Sequence, residues 1–213
     1  MVSFSPALPL LLTTLLAACG PTERPTDQPA AAAPPTAPPP APAAPAAPIP
    51  VAPKDEHLLL RPGYAGQLRL NMKEADLLAL LPPAALRKTT RSLEGIEYPA
   101  YEYRPDDAPA GSPPLLLELV GAIEDGGNRL WRVQVRDARY RTAEGIGVGS
   151  SYGEARRAYG VQTIERAEGQ LVAVSERVGM TWVLDAAGLP TDRLLRKDDI
   201  PPATRITGII LYQ

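Results

Sequence analysis

The sequence predicts an α+β fold: an antiparallel β-sheet with a few short helices laid on it. Three observations carry this. From about residue 64 onward, most apolar residues alternate with polar ones over short runs, as strands with one buried face require. Two segments break that rhythm with helical spacing, "NMKEADLLALL" (71–81) and "SYGEARRAYG" (151–160), each opened by a polar cap and closed by a breaker, Pro82 or Gly160. Strand, helix and further strands then recur in the same order about 75 to 80 residues later, so two diverged β-α-β-β units are expected in one domain, near 64–137 and 138–213.

Taken in order, "GQLRL" (66–70) alternates as a strand, and Asn71 with Glu74 forms the cap pattern of the first helix. "IEYPAYEYR" (96–104) reads as an edge strand because Pro99 has no amide to donate, with Tyr101 and Tyr103 sharing one face. "PLLLELVGAI" (114–123) and "RLWRVQVRD" (129–137) form a hairpin. Placing Trp131, Val133 and Val135 over the leucines of the first strand puts Leu119 opposite Val135 and Glu118 opposite Arg136, with a three-residue loop at 126–128. "EGIGVGSSYGEARRAYG" (144–160) is a strand-to-helix joint: Ile146 and Val148 alternate with glycines, Ser150 or Ser151 caps the helix, Glu154 completes a capping box and Gly160 ends it. "VQTIERA", "LVAVSER", "GMTWVLD" and "TRITGIILYQ" are further strands, and "PTDRLLRK" (190–197) a short helix.

The same glycine stretch does not spell a nucleotide loop. Its spacing is G-x-G-x-G-x-x-x-G, polar residues precede it, and no Gly-Lys-Ser/Thr follows. The chain has one histidine and one cysteine, which leaves no material for a histidine-based triad or a His/Cys zinc site. The acidic pairs Asp106-Asp107, Glu124-Asp125 and Asp198-Asp199 sit beside Pro or Gly in turns, without the spacing of an ion-binding loop. No catalytic residue, metal site or cofactor is therefore expected, and the protein is expected not to be an enzyme. Lys and Arg nearly balance Asp and Glu, 22 against 24, which argues against a nucleic-acid partner. The one basic stretch is "RLWRVQVRDARYR" (129–141); Arg132, Arg136 and Arg139 form a candidate face for an anionic ligand, against the alternative of a solvated strand face with Trp131 in the core.

The N-terminus speaks to location. Residues 1–18 form an apolar run too short to span a membrane, ending in Leu16-Ala17-Ala18-Cys19, which resembles the lipobox of bacterial lipoproteins. That resemblance implies a cleaved signal peptide and a diacylglycerol on Cys19; a second or third acyl chain turns marginal anchoring into stable anchoring. Gly20 follows, where an Asp would resemble an inner-membrane retention signal, so the outer membrane facing the periplasm is expected. Residues 19–53 hold half of the chain's 26 prolines among alanines and read as a semi-rigid tether; residues 54–213 form the globular domain.

Gly145, Val148, Gly149, Ser150, Glu154, Tyr159 and Gly160, with "MTWVLD", "GLPTDRLL" and the closing "RITGIILYQ", resemble the C-terminal half of the sigma-E-regulated (RpoE-regulated) outer-membrane lipoprotein family, a domain of unknown function. The likeness runs from about Arg129 to Gln213. It implies an envelope-stress-linked lipoprotein and brings no catalytic residues. The expected role is a non-enzymatic binding or scaffold protein in envelope maintenance, its partners the membrane through the anchor and an envelope protein, lipopolysaccharide or peptidoglycan. The alternative is an inhibitor of, or an enzyme acting on, an envelope polymer such as peptidoglycan. Metabolic palmitate labelling should mark the wild type and leave Cys19→Ser unlabelled; equal labelling would remove the anchor.

Overall fold

A computed structural model describes residues 55–121 and 127–212. Cys19, the signal peptide, the tether and the Glu124-Asp125 pair lie outside the described residues. Three short strands open the domain, β1 (Leu59–Arg61), β2 (Tyr64–Ala65) and β3 (Leu68–Arg69), followed by helix α1 (Glu74–Leu80). Four longer strands follow: β4 (Leu86–Leu93), β5 (Ile96–Tyr103), β6 (Leu115–Gly121) and β7 (Asn128–Val135). The second half repeats the order with β8 (Arg141–Thr142), α2 (Tyr152–Tyr159), β9 (Thr163–Ala167), β10 (Gln170–Ser175), β11 (Met180–Leu184) and β12 (Ile206–Tyr212).

These strands form two sheets. The larger is an antiparallel sheet of eight strands in the order β4-β5-β6-β7-β12-β11-β10-β9; the smaller has the order β3-β2-β1-β8. Each half therefore contributes a helix and then a four-stranded meander. The fourth strands, β7 and β12, pair antiparallel at the centre, with Leu211 opposite Val133 and Ile209 opposite Val135. The β-α-β-β unit expected from the sequence is contained in this arrangement, but its first strand, β3 or β8, belongs to the small sheet, and two further strands complete each meander.

One face of the large sheet carries the main core. Leu77 of α1, Tyr152 and Ala155 of α2, and Leu117, Val133 and Ile209 of the sheet share one buried cluster. Trp182 of β11 is fully enclosed, stacks on Tyr159 of α2 with centroids 5.6 Å apart, and donates its indole N–H to Ser175 Oγ. Tyr101 and Tyr103 are core residues on this side, as their alternation suggested.

Helix α2 begins as its sequence dictates. Ser151 Oγ accepts the Glu154 amide, while the Glu154 carboxylate accepts the Ser151 amide at 2.7 Å and its hydroxyl at 2.8 Å, and Gly160 caps the other end with φ 73°. Helix α1 departs from expectation. Asn71 is not its cap: its amide donates to the Leu130 carbonyl and Leu130 donates back to Met72, so the chain docks on β7 before turning helical at Glu74. The Glu74 carboxylate, freed from capping, accepts Tyr101 Oη at 2.6 Å and Asn128 Nδ2 at 2.7 Å. The Tyr101 hydrogen bond in particular holds its carboxyl below the usual glutamate value, and burial with the Glu74 contact pushes the phenol up to about 12.

Four other expectations are corrected. The segment 145–149 is not a strand but a loop folded back on β8, where Thr142 and Ile146 exchange two hydrogen bonds. Only glycine fits at its tightest point, since a Cβ on Gly147 would stand 2.6 Å from the Tyr140 carbonyl oxygen. β5 is not an edge strand: it pairs with β4 along its length, and Pro99 sits one residue beyond the last β6 partner, Ala100, where no donor to β6 is needed. The β6–β7 register differs by four residues from the expected one: Leu117 faces Val133, Glu118 faces Arg132 and Gly121 faces Asn128. The ladder ends at Gly121 and Asn128, so the connection is longer than the three residues expected, and a bulge at Trp131 then places Leu130 rather than Trp131 in the core. Finally, 190–197 is a run of turns with Leu194 92% exposed, held where Asp199 accepts the Arg193 guanidinium and the Arg196 amide.

The Ser151 amide, more than any other contact, lowers the Glu154 pKa, with burial opposing. A depressed folded-state pKa means that this contribution is present above the ordinary glutamate value of 4.5 and is lost as pH falls through the lower folded one. Urea midpoints of the wild type should therefore fall more steeply below that pH than those of Glu154→Gln, whereas Ser151→Ala should cost about 1 kcal/mol at neutral pH.

Candidate functional site

The other face of the large sheet carries charge at its centre. Glu118 of β6 is 0% exposed and receives four N–H donors: two from Arg132 of β7, one from Gln134 at 3.0 Å and one from Arg91 of β4 at 3.3 Å. Arg132, itself 8% exposed, also donates to Glu168, the first residue of the β9–β10 turn, and Arg91 reaches the other Glu168 oxygen at 3.3 Å. Burial works against the Arg132 charge, but its hydrogen bonds to Glu118 and then Glu168 outweigh it and hold the pKa above the ordinary arginine value.

This five-residue network crosses the whole sheet. β4 and β9 are its two outer strands, and seven strand spacings of about 4.8 Å would set them roughly 34 Å apart if the sheet were flat. The ionic contact between Arg91 and Glu168 at 3.3 Å requires the sheet to coil until the edge hairpins approach each other over this face. Twist of roughly −20 to −25° per strand supplies that coiling, and the network fastens it.

Both turns concerned use the same device. Glu94-Gly95 and Glu168-Gly169 each join two strands with both residues at positive φ, 52° and 82° in the first and 52° and 75° in the second, the two-residue turn that matches strand twist. A glutamate there carries the strain of a left-handed backbone. At Glu168 the carboxylate has a use, the two arginines.

Between the network and the second half of the sheet lies a cavity of about 300 Å³. Its floor is apolar, from Val172 and Val174 of β10 and Ile210 of β12; its rim includes Trp131, Tyr212 and Glu165. The bulge that removed Trp131 from the core places it here, with the Arg132 guanidinium 4.9 Å over its ring and Tyr98 6.3 Å away. The indole Nε1 is buried and, among the described residues, has no hydrogen-bond partner. A buried donor left unpaired costs free energy, and this one, sealed from solvent, is equally out of reach of anything standing in the cavity.

The arginines expected to form an anionic-ligand face do not act together. Arg132 is enclosed by Glu118 and Glu168; Arg139 is held by both Asp137 oxygens and by Asp107; Arg136 is exposed beyond the end of β7. Asp106 and Glu118, the carboxylates an enzyme reading would need to converge, are also separated in character: Asp106 lines a surface cavity with Arg87 and Glu102, while Glu118 is sealed behind guanidinium groups. Among the described residues no cluster of three metal-ligating side chains occurs, and no helix is long and apolar enough to cross a membrane. Sequence reasoning missed Glu168 and the place of Trp131. The recurrence of Glu-Gly at 94–95 and 168–169 was the available signal for the first; the bulge leaves no comparable mark for the second.

Removing Glu118 strands the buried Arg132 charge, so Glu118→Ala should lower stability by about 3–5 kcal/mol in urea unfolding. Glu168→Asn, a better turn residue without the reach, should cost at most about 1 kcal/mol because Glu168 is itself partly exposed and Arg132 keeps its pairing with Glu118, while increasing hydrogen exchange of the β9–β10 amides.

No family model matches this chain, and no curated protein matches it. Among solved structures, that of the uncharacterized protein yfeY from Escherichia coli is similar over 73% of this chain and 97% of its own, at 16% identity and a TM-score of 0.47.

Proposed function

We propose that this protein is a lipid-anchored outer-membrane lipoprotein facing the periplasm, with a non-enzymatic binding role in cell-envelope maintenance or the stress response. The lipobox resemblance at Leu16–Cys19, the Pro/Ala tether and the resemblance of residues 129–213 to a sigma-E-regulated lipoprotein family support the location and setting. The binding role rests on one observation: the cavity on the open sheet face, with its apolar floor, walled by Trp131 and the charge network. A tether of this composition holds such a face away from the bilayer; at ~3.1 Å per residue an extended polyproline segment reaches on the order of 100 Å.

Glu118 is spent on holding Arg132, which leaves no free carboxylate pair at the sheet centre for acid–base chemistry. That favours binding over the alternative of an enzyme acting on peptidoglycan. Native mass spectrometry on protein extracted from a bacterial envelope in mild detergent tests the proposal. A bound envelope component should accompany the wild type and be lost from Val174→Trp, which fills the cavity; bare protein masses for both would overturn the reading.

A further inference from the structure

We infer that a second cavity, on the covered side of the large sheet where the start of the domain meets the loop after β5, binds a primary ammonium group carried on a short alkyl stem. This site is independent of the open-face cavity and of the binding role proposed for it.

Three segments close around a space of about 250 Å³. Asp55 accepts the His57 amide at 2.9 Å and opens a short turn, which is seated so tightly on the β2–β3 connection that a Cβ on Gly66 would collide with the His57 carbonyl oxygen. Asp106 and Asp107 follow β5. Arg139 fixes their loop by donating to the Asp107 carbonyl at 3.2 Å and carboxylate at 3.3 Å, while pairing with Asp137 as well. Tyr140, next to Arg139, supplies the third side from the segment between β7 and β8.

The Tyr140 hydroxyl points to a ligand. Tyr140 is 3% exposed, yet its hydroxyl has no hydrogen-bond partner among the described residues. Among those residues the only unpaired polar side-chain atom sealed from solvent is Trp131 Nε1, so the Tyr140 hydroxyl keeps contact with the cavity that the residue lines. Its neighbours there are Asp107 and Tyr103, whose own hydroxyl is engaged by Gln67. Burial above all pushes the Tyr140 phenol above its ordinary value, so at neutral pH it is an uncharged group with lone pairs to offer.

Charge then selects the ligand. Asp55, Asp106 and Asp107 line the cavity and no lysine or arginine does, so an anion is repelled. Among the described residues no three ligating side chains converge as a metal ion needs. Leu58, Leu68 and Pro82 give an apolar wall for a stem, and the volume, below the roughly 300 to 1,000 Å³ of drug-sized pockets, suits a few carbons. A primary ammonium meets every condition: positive charge for the carboxylates and N–H donors for the phenol oxygen. A quaternary ammonium has the charge without a donor, and an alcohol has the donor without the charge.

Four probes sharing a butyl chain test this: n-butylamine, n-butanol, butyrate and n-butyltrimethylammonium. Each is titrated at neutral pH and low salt into the mature chain from residue 19 carrying Cys19→Ser, with backbone amide shifts read by NMR. Butylamine should shift the amides of Gln67, Ala85 and Tyr140, leave Val174 on the open face unmoved, and bind at least about fivefold more tightly than each other probe. Tyr140→Phe should weaken butylamine about tenfold, the worth of one hydrogen bond to a charged group, and should keep the urea midpoint at or above wild type because the hydroxyl has no partner to lose. Asp106→Asn should weaken it about threefold, as expected of an exposed charge. Equal affinity for butanol or butyltrimethylammonium, shifts spread over other acidic surfaces, an unaffected or less stable Tyr140→Phe, or no binding would overturn the assignment. Nα-acetyl-lysine methylamide separates two sources of the same chemistry: affinity matching butylamine assigns the site to a lysine side chain, and loss of binding assigns it to a free alkylamine.

Discussion

The buried carboxylate of Glu118 sets the terms for the large sheet. Moving a carboxylate out of water costs several kcal/mol even after relaxation, and a single partner seldom repays it. Here four donors from three residues converge on it, and those donors come from β4 and β7, strands that do not adjoin one another. The requirement to satisfy one charge thus fixes how far the sheet must coil. Arg132 then carries the constraint onward to Glu168, so that the two outer hairpins are fastened over the same face. Replacing this centre with leucines would leave a sheet free to flatten; the polar network specifies one curvature.

The coiling explains why the two faces of one sheet do different work. On the covered face, both helices and the small sheet bury a continuous core in which Leu77, Tyr152 and Trp182 are fully enclosed. On the open face no layer among the described residues covers the strands, and what closes over them is their own edge. The first half contributes charge there, through Arg91 and Glu118, and the second half contributes the apolar floor of Val172 and Val174. Two halves with the same order of elements have therefore diverged most on the face that is not needed for the core. The turn glutamates show this at single-residue scale: they occupy equivalent hairpins with the same positive φ, and Glu168 alone joins the network.

The bulge at Trp131 is where the core and the open face meet. A regular ladder would have carried Trp131 inward with Val133 and Val135, as alternation suggests. The extra residue instead sends Leu130 inward and frees the indole to wall the cavity, next to the guanidinium it stacks against. It also shifts the pairing by one residue: continued unbroken from Gly121 and Asn128, the ladder would set Glu118 opposite Trp131, and the bulge sets it opposite Arg132. One inserted residue thus creates both the ion pair and the wall of the candidate site.

By itself, the sequence determined whatever depends on short-range chemistry. The period-two alternation, the Ser151-Glu154 capping box, the breakers Pro82 and Gly160, and the recurrence of element order were readable because each is a property of neighbours along the chain. The core positions of Tyr101 and Tyr103 followed from the same alternation. What only the tertiary structure decided involves residues far apart. Asn71 lost its cap role to a backbone docking on β7, Pro99 proved compatible with an inner strand because the adjoining ladder ends beside it, and Arg132 turned from a ligand-facing cation into the partner of two glutamates, 14 and 36 residues away. Register and sheet closure depend on which distant strands meet, and a buried charge is satisfied only by groups that the coiled sheet brings together. Neither leaves a local signature, which is why the joint at 144–160 was legible in the sequence and the cleft around Trp131 was not.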